Sequence, residues 1–525
     1  MSKAAEMAKV SVKGGFHLLW GLVASTVISS IGTIFVGNLM GDVNYGLYTI
    51  ALVAPNLIAT FRDWGINVAM IKYTAQYNGE NEQAKIRNIF AAGIVFETVL
   101  GLVLTVIGFT LSGFLATLYN NTQLAPLIQV AAFIILTGAL LTVAQSAFVG
   151  IERMELNSIT VICQSIVKTI VIPVLVILGL GPFGAVIGYV TAFLFAGLIG
   201  ILLMWTIYRK LPTPDNGKLE IRTTIKTMFR YGLPLSIAGI ISGFQTQFYN
   251  FIVPIYVSPN LVGNYGIANT FAVLITFFAT PITTILFPAF SKLDVQREQE
   301  TLKYVFQFSV KYASLLVVPV AAVVMVLAQP GIGVLFPQFA DAPLFLALLS
   351  VNYFLTAFGN LSLGNLINSQ GHTGFNLKLA LLASAIGFPL SLILIPRFGI
   401  IGLIITSITA GIPSLIVGLF WVRKKYGVTV DWSSSARILI SGAAAAALTY
   451  FVVFELNFSR WAALVVGAVV FLSSFLLAIL LTRAITRSDL NNLRGMIGAL
   501  GALRRPLHFL LNVIEKLMAI FGSDK

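Results

Sequence analysis

Fourteen separate stretches of this 525-residue chain are each about 20 residues long or longer and mostly apolar. At about 1.5 Å of rise per residue, some 20 apolar residues cross the roughly 30 Å hydrocarbon core of a bilayer. The stretches lie near 16–40, 45–70, 88–112, 124–149, 156–179, 182–208, 229–256, 265–290, 304–328, 343–368, 378–395, 399–421, 437–456 and 460–482. The first follows Lys3, Lys9 and Lys13, but it is too long for a signal-peptide core and lacks an A-x-A cleavage site, so it reads as an uncleaved span. Only 10% of the residues are charged, against about a quarter in soluble domains, and Cys163 is the single cysteine. Soluble, disordered and disulfide-rich secreted classes are excluded. The expected fold is an all-α polytopic membrane protein of 14 transmembrane helices in the plasma membrane.

The basic residues test that count independently. With the N-terminus inside, 28 of the 33 Lys and Arg fall in cytoplasmic segments and only Arg397 and Arg460 fall outside. The other three, Arg62, Lys168 and Lys311, lie within spans. Losing or inventing one span would scramble this alternation, so the bias predicts both termini inside. The net charge of +14 is therefore an orientation signal and a cytoplasmic face for anionic lipid, with no nucleic-acid partner.

Internal repetition follows. Gly41-Asp-Val-Asn-Tyr-Gly46 returns as Gly263-Asn-Tyr-Gly266 about 220 residues later, and Gly181-Pro-Phe-Gly184 with Gly188 returns as Pro396-Arg-Phe-Gly399 with Gly402 after 215. Both matches fall between corresponding spans of a six-span unit, which predicts two parallel repeats related by an axis along the membrane normal. The expected organisation is a six-helix lobe over 1–211, a linker over 212–228 with Pro212, Pro214, Asp215, Asn216 and Gly217, a second six-helix lobe over 229–426, and two extra spans over 427–482. Residues 483–525 alternate apolar and basic positions at intervals of three to five, which predicts an amphipathic helical tail on the cytoplasmic membrane surface.

Two lobes imply a central cavity. On span 2, Asn56, Thr60, Asp63 and Asn67 fall on one helical face, and span 8 repeats the idea with Asn269, Thr276, Thr280 and Thr283. Span 1 offers Ser25, Ser29 and Thr33, and span 7 offers Ser242, Gln245, Gln247, Tyr249 and Asn250. Interhelical hydrogen bonding is the alternative use of any one of them. Ionisable groups are the stronger signal, because each costs roughly 2.5–3.5 kcal/mol at a helix centre. Lys168 sits near mid-span, Arg62 in the inner half of span 2 and Lys311 early in span 9, with Asp63 and Glu97 as the acids. Internal pairing, for example of Glu97 with Lys168, is the competing role. Three cations against two acids favour an anionic ligand.

The run Asp42-Val-Asn-Tyr-Gly-Leu-Tyr48, then Arg62-Asp-Trp-Gly-Ile66 with Ala69 and Lys72, then Gly150-Ile-Glu-Arg153, resembles the polysaccharide/O-antigen lipid-linked oligosaccharide flippases of the multidrug/oligosaccharidyl-lipid/polysaccharide exporter superfamily. The resemblance implies a transporter rather than an enzyme, moving polyprenyl-linked oligosaccharide from the cytoplasmic to the outer leaflet by alternating access, with spans 1, 2, 7 and 8 lining the cavity. A lumenal cation must then meet the substrate phosphate. Arg62, Lys168 and Lys311 are the expected phosphate contacts, Gln245, Gln247 and Asn250 the expected sugar contacts, and Asn56 and Asn269 further lining residues. Asp63 and Glu97 are candidates for ion coupling or charge pairing. Further expectations are membrane lipids and glycan polymerase or transferase partners, and a functional monomer.

Two rival classes fare less well. A multidrug/cation antiporter would need carboxylates in spans 1 and 7, which have none. A membrane glycosyltransferase or polymerase would need outward acidic pairs, and the outer loops offer only Asp42 and Asp341, with Glu455 at a span edge. No G-x-x-x-x-G-K-[ST] loop is present, and His17, His372 and His508 lack metal-ligand spacing, so no cofactor or metal is expected.

Overall fold

The structure, a computed structural model, describes residues 3–213, 219–279, 290–291, 293, 298–456, 458–487, 489–490, 494, 512, 515–516 and 518, with side chains from residue 20 onward. Thr280 and Thr283, the loop residues Pro214, Asp215, Asn216 and Gly217, and most of the tail beyond residue 490 lie outside the described residues.

Among the described residues every regular element is a helix. Nine are long and apolar enough to cross a membrane, or ten if the bent pair Ala342–Phe358 and Asn360–Ser369, angled at 52°, is one span. The chain is thus an all-α, multi-pass protein. Three apolar helices are too long for one crossing: Trp20–Ala59, Met154–Tyr208 and Thr373–Tyr426 hold 40, 55 and 54 residues. At about 1.5 Å per residue each exceeds the roughly 30 Å core about twofold or more. Each bends at glycine with positive φ: Gly41 at 70°, Gly179 and Gly181 at 87° and 49°, and Gly399 at 55°. A Cβ would strain these angles. Past Gly181 and past Gly399 the chain folds back on itself, since Gly188 lies against Ile172 and Ser414 Oγ donates to the Leu379 carbonyl at 2.9 Å.

In chain order the helices used below are α1 (Lys3–Ala59), α2 (Ile66–Gly79), α3 (Gln83–Thr110), α4 (Phe133–Gly150), α5 (Met154–Leu175), α6 (Gly181–Tyr208), α7 (Ile221–Tyr256), α8 (Pro259–Val273), α9 (Gln299–Val326), α10 (Thr373–Tyr426), α11 (Trp432–Glu455) and α12 (Arg460–Leu481). They pack as two compact units. The first takes Met1–Thr270, Gln338–Asp341 and Thr373–Ser414, and the second takes Phe271–Pro337, Ala342–His372 and Leu415–Lys525.

In the first unit, α2, α3, α4 and α6 enclose Ile66, Met70, Phe90, Phe148 and Met204. The first arm of α1 lies along α5 on a seam of small residues, as membrane helices that approach closely do. A Cβ at Gly21 or Gly32 would come within 2.6 Å of Ser158 or Thr169. Across that seam Ser29 Oγ donates to Ser165 Oγ at 3.2 Å, and Thr169 Oγ1 donates to the Ile28 carbonyl at 3.0 Å. The second arm of α1 meets α8, and the turn after it meets α7, backbone to backbone. A Cβ on Gly46 would lie 1.7 Å from the Pro259 carbonyl oxygen, and one on Gly263 would lie 2.1 Å from that of Asp42. At the other end a Cβ on Gly232 would lie 1.9 Å from the Gly65 carbonyl oxygen. Phe61 and Phe244, with centroids 5.4 Å apart, pack between these contacts.

In the second unit, α9, α11 and α12 enclose Val318, Ile438, Phe471 and Phe475. The described apolar residues of the expected surface tail, Ile485, Leu490 and Met518, are buried in this same core. A buried charge secures them: Asp489 Oδ2 lies 2.6 Å from Lys311 Nζ and accepts from Thr486 N and Oγ1, while Tyr312 OH donates to Oδ1 at 3.1 Å. Burial disfavours the Asp489 carboxylate, but hydrogen bonds from Lys311 and Thr486 outweigh it and hold the group below its ordinary range. A depressed carboxylate contributes stability that is present above the unfolded value, about 3.9, and lost as pH falls through the folded one. Asp489→Asn deprives the Lys311 ammonium of its salt-bridge partner and is expected to lower stability by about 3 kcal/mol. The check is the melting temperature of the purified full chain at neutral pH; an unchanged value would refute the latch.

Candidate functional site

Span 2 does not continue as one helix. The structure ends α1 at Ala59 and starts α2 at Ile66, and the intervening turn is set by Gly65 at φ 85°. Asp63 Oδ1 accepts from the backbone N–H of Gly65 at 2.9 Å and of Asn67 at 3.3 Å, satisfying donors that a helix start leaves open. The expected continuous face of Asn56, Thr60, Asp63 and Asn67 is therefore broken, and Asp63 spends one carboxylate oxygen on the break.

The break lets Arg62 and Asn67 converge on Glu97 of α3. Arg62 Nε lies 3.0 Å from Glu97 Oε2, and Asn67 Nδ2 donates to Glu97 Oε1 at 2.7 Å. Glu97 is fully buried. Arg62 also donates to Thr142 Oγ1 at 2.9 Å and to the Ile135 carbonyl at 3.3 Å, and Ser146 Oγ donates to Asn67 Oδ1 at 3.2 Å. The partner of Glu97 is thus Arg62, where sequence reasoning offered Lys168: the turn at 60–65 aims the guanidinium at α3, which helical periodicity does not foresee.

Lys168 has other company. Its ammonium lies 5.1 Å from the centre of the Tyr189 ring, within cation–π range. With Ser29, Thr33, Tyr45, Tyr48 and Thr169 it lines a cavity of about 20 Å³, room for roughly one water. Tyr48 and Tyr189 meet edge to face at 6.2 Å. Among the described residues Lys168 makes no ion pair, whereas Arg62 pairs with Glu97 and Lys311 pairs with Asp489.

The remaining candidates divide. Gln245 donates to Tyr249 OH at 2.6 Å and accepts from Ser384 Oγ at 2.8 Å, which ties α7 to α10. A Cβ at Gly387 would lie 1.6 Å from the Tyr249 hydroxyl, so the contact needs glycine there. Asn56, Gln247 and Asn250 are half-buried and Asn269 is exposed, each apart from the Arg62 cluster. Sequence reasoning missed Tyr189 and weighed Tyr45 and Tyr48 only as part of a motif. Their spacing of three on a helix that also carries Thr49 was the available signal.

Solved structures share this multi-pass helical fold. The chain superposes on the lipid II flippase MurJ in an inward closed conformation with a TM-score of 0.69, at 14% identity over 88% of this chain and 97% of that one. It superposes on an inward-facing multidrug resistance MATE family transporter of the MOP superfamily with a TM-score of 0.62, at 18% identity over 77% and 94%. The lipopolysaccharide biosynthesis protein WzxC of Escherichia coli (strain K12) is 24% identical over 77% of this chain and 80% of its own length. Residues 11–294 match the family described as polysaccharide biosynthesis protein, and the chain belongs to that family.

The Arg62–Glu97 pair can be weighed directly. Arg62→Leu leaves a buried carboxylate without its cation and is expected to cost about 3–5 kcal/mol. Arg62→Leu with Glu97→Leu should restore most of that loss. Thermal unfolding of the three variants gives the coupling, and a double variant no more stable than Arg62→Leu would sink the pairing.

Proposed function

We propose that this chain is an alternating-access transporter that carries a polyprenyl-(pyro)phosphate-linked oligosaccharide from the cytoplasmic to the outer leaflet of the plasma membrane. It is a transporter, not an enzyme. The observation that carries the reading is Lys168: a membrane-embedded cation that, among the described residues, has tyrosine rings and hydroxyls around it and no carboxylate. An unpaired charge at that depth is costly and is relieved by an anion. The cavity beside it holds roughly a single water in this conformation, so a phosphate enters only when the surrounding helices part.

The helix lengths support fourteen spans, an even number that leaves both ends on one side, and the basic residues make that side the inside. Dividing the three long helices at their glycines and adding the bent pair and α7 to the nine brings the count to that number. Two parallel lobes, 1–211 and 229–426, with spans 13 and 14 added over 427–482, fit the reciprocal contacts of Gly46 with Pro259 and of Gly263 with Asp42, which relate positions 217 residues apart. Gly181 and Gly399, 218 apart, share one backbone conformation, with φ of 49° and 55° and ψ of −133° and −128°. In this reading the Gly46–Pro259 and Gly65–Gly232 contacts are the outer and inner gates, which open in turn. Arg62 and Glu97, neutralised against each other, hold the inner gate's turn in place. The same fold serves multidrug transporters, but spans 1 and 7 hold no Asp or Glu to bind a cation.

The test is leaflet exchange of labelled polyprenyl-pyrophosphate oligosaccharide in proteoliposomes, beside efflux of a cationic dye under proton and sodium gradients. Wild-type protein should move the lipid and leave the dye. Lys168→Gln should slow exchange about tenfold or more, with Lys168→Arg between the two. Normal exchange by a well-folded Lys168→Gln protein would remove Lys168 from the site, and dye efflux alone would overturn the function.

A further inference from the structure

A second cavity in the first unit, of about 750 Å³, belongs to none of the groups above. It opens where the α2–α3 turn meets the end of α6 and the start of α7, and its volume falls within the roughly 300–1,000 Å³ of small-ligand sites. Tyr73 and Tyr77 line it with rings that stack on each other at 6.1 Å and 23°, Lys85 Nζ lies 5.1 Å from the centre of the Tyr77 ring, and Tyr231 meets Tyr73 edge-on at 5.5 Å. Opposite them α7 presents Thr223, Thr224 and Thr227, while the turn adds the amides of Asn81 and Gln83. Asn88 also lines the cavity, and its Oδ1 is buried without a hydrogen-bond partner.

The charges of this lining rule out a phosphate site. Its acids, Glu82 and Glu220, outnumber its one cation, Lys85, which is itself paired with Glu82 at 2.6 Å. The neighbouring Lys72 lies over the rings of Tyr73 and Tyr231, at 3.9 and 4.9 Å, and Arg87 donates to the Leu211 carbonyl. Aromatic rings, neutral amides and hydroxyls, with Glu220 as the one acid left over from the Lys85–Glu82 pair, suit a ligand that has apolar ring faces rimmed by hydroxyls. That is a short oligosaccharide.

We propose that this cavity is a glycan-docking site that receives the sugar portion of the substrate on the cytoplasmic side, before the phosphate reaches Lys168. The proposal rests on the flippase reading for its direction, since the α2–α3 and α6–α7 connections are the ones the positive-inside pattern places in the cytoplasm. Tyr77 and Asn88 are its specificity-determining residues, Tyr77 through its ring face and Asn88 through its open acceptor.

The experiment measures binding of lipid-free oligosaccharides, released by mild acid from the source cells' polyprenyl-linked pool, to the purified full chain in nanodiscs by calorimetry. Leaflet exchange of the intact lipid-linked substrate is followed in parallel. Wild-type protein should bind the sugars; Tyr77→Ala and Asn88→Leu should each weaken binding about tenfold, and Tyr77→Trp, which keeps a ring face, should restore it. Lys168→Gln should leave sugar binding intact while slowing exchange. Sugar binding that is unchanged in Tyr77→Ala and Asn88→Leu would overturn the site, as would competition by inorganic pyrophosphate. Exchange by wild-type protein without any sugar binding would overturn the docking site and leave the transport reading standing. Sugar binding at this cavity without exchange would do the reverse.

Discussion

Arg62 and Glu97 neutralise each other inside the bilayer region, and much of the first unit is arranged to let them do so. Arg62 makes the pair from within the helix break at 60–65. The break needs Asp63 to cap α2 and Gly65 to take a positive φ. Gly65 in turn needs Gly232 opposite it, since any side chain there would collide with the backbone. One charge compensation thus fixes a turn, a cap and the close approach of two helices.

Charge placement also sorts the three embedded cations. Arg62 and Lys311 have carboxylate partners, and their fork and ammonium are spent on holding helices together. Lys168 sits among Tyr48, Tyr189 and hydroxyls, a setting that tolerates a cation without satisfying it. Among the described residues the presence or absence of one acidic neighbour separates Lys168 from the two paired cations.

The helices were largely legible in the sequence, because apolar length and the glycines at 41, 181 and 399 are local signals. What each charge meets was not. Helical spacing grouped Asp63 with Asn67 on a face, but the turn between them depends on a cap and a φ angle that periodicity ignores. Asp489 lies 178 residues after Lys311, so no pattern along the chain links them. Gln245 read equally well as a sugar contact or as helix glue, and the choice lay with Ser384 on a different helix. The cavity beside Tyr77 escaped notice because its lining comes from two connections that look like ordinary polar loops.

The Lys311–Asp489 bond has a meaning for how the chain is made. Lys311 enters the membrane with α9, well before Asp489 leaves the ribosome. During that interval the helix carries a cation whose salt-bridge partner has not yet been made. A nascent chain that stalls before residue 489 would therefore present an unfinished span, marked by charge, to whatever machinery inspects half-inserted helices. Asp489 acts as the seal on that span.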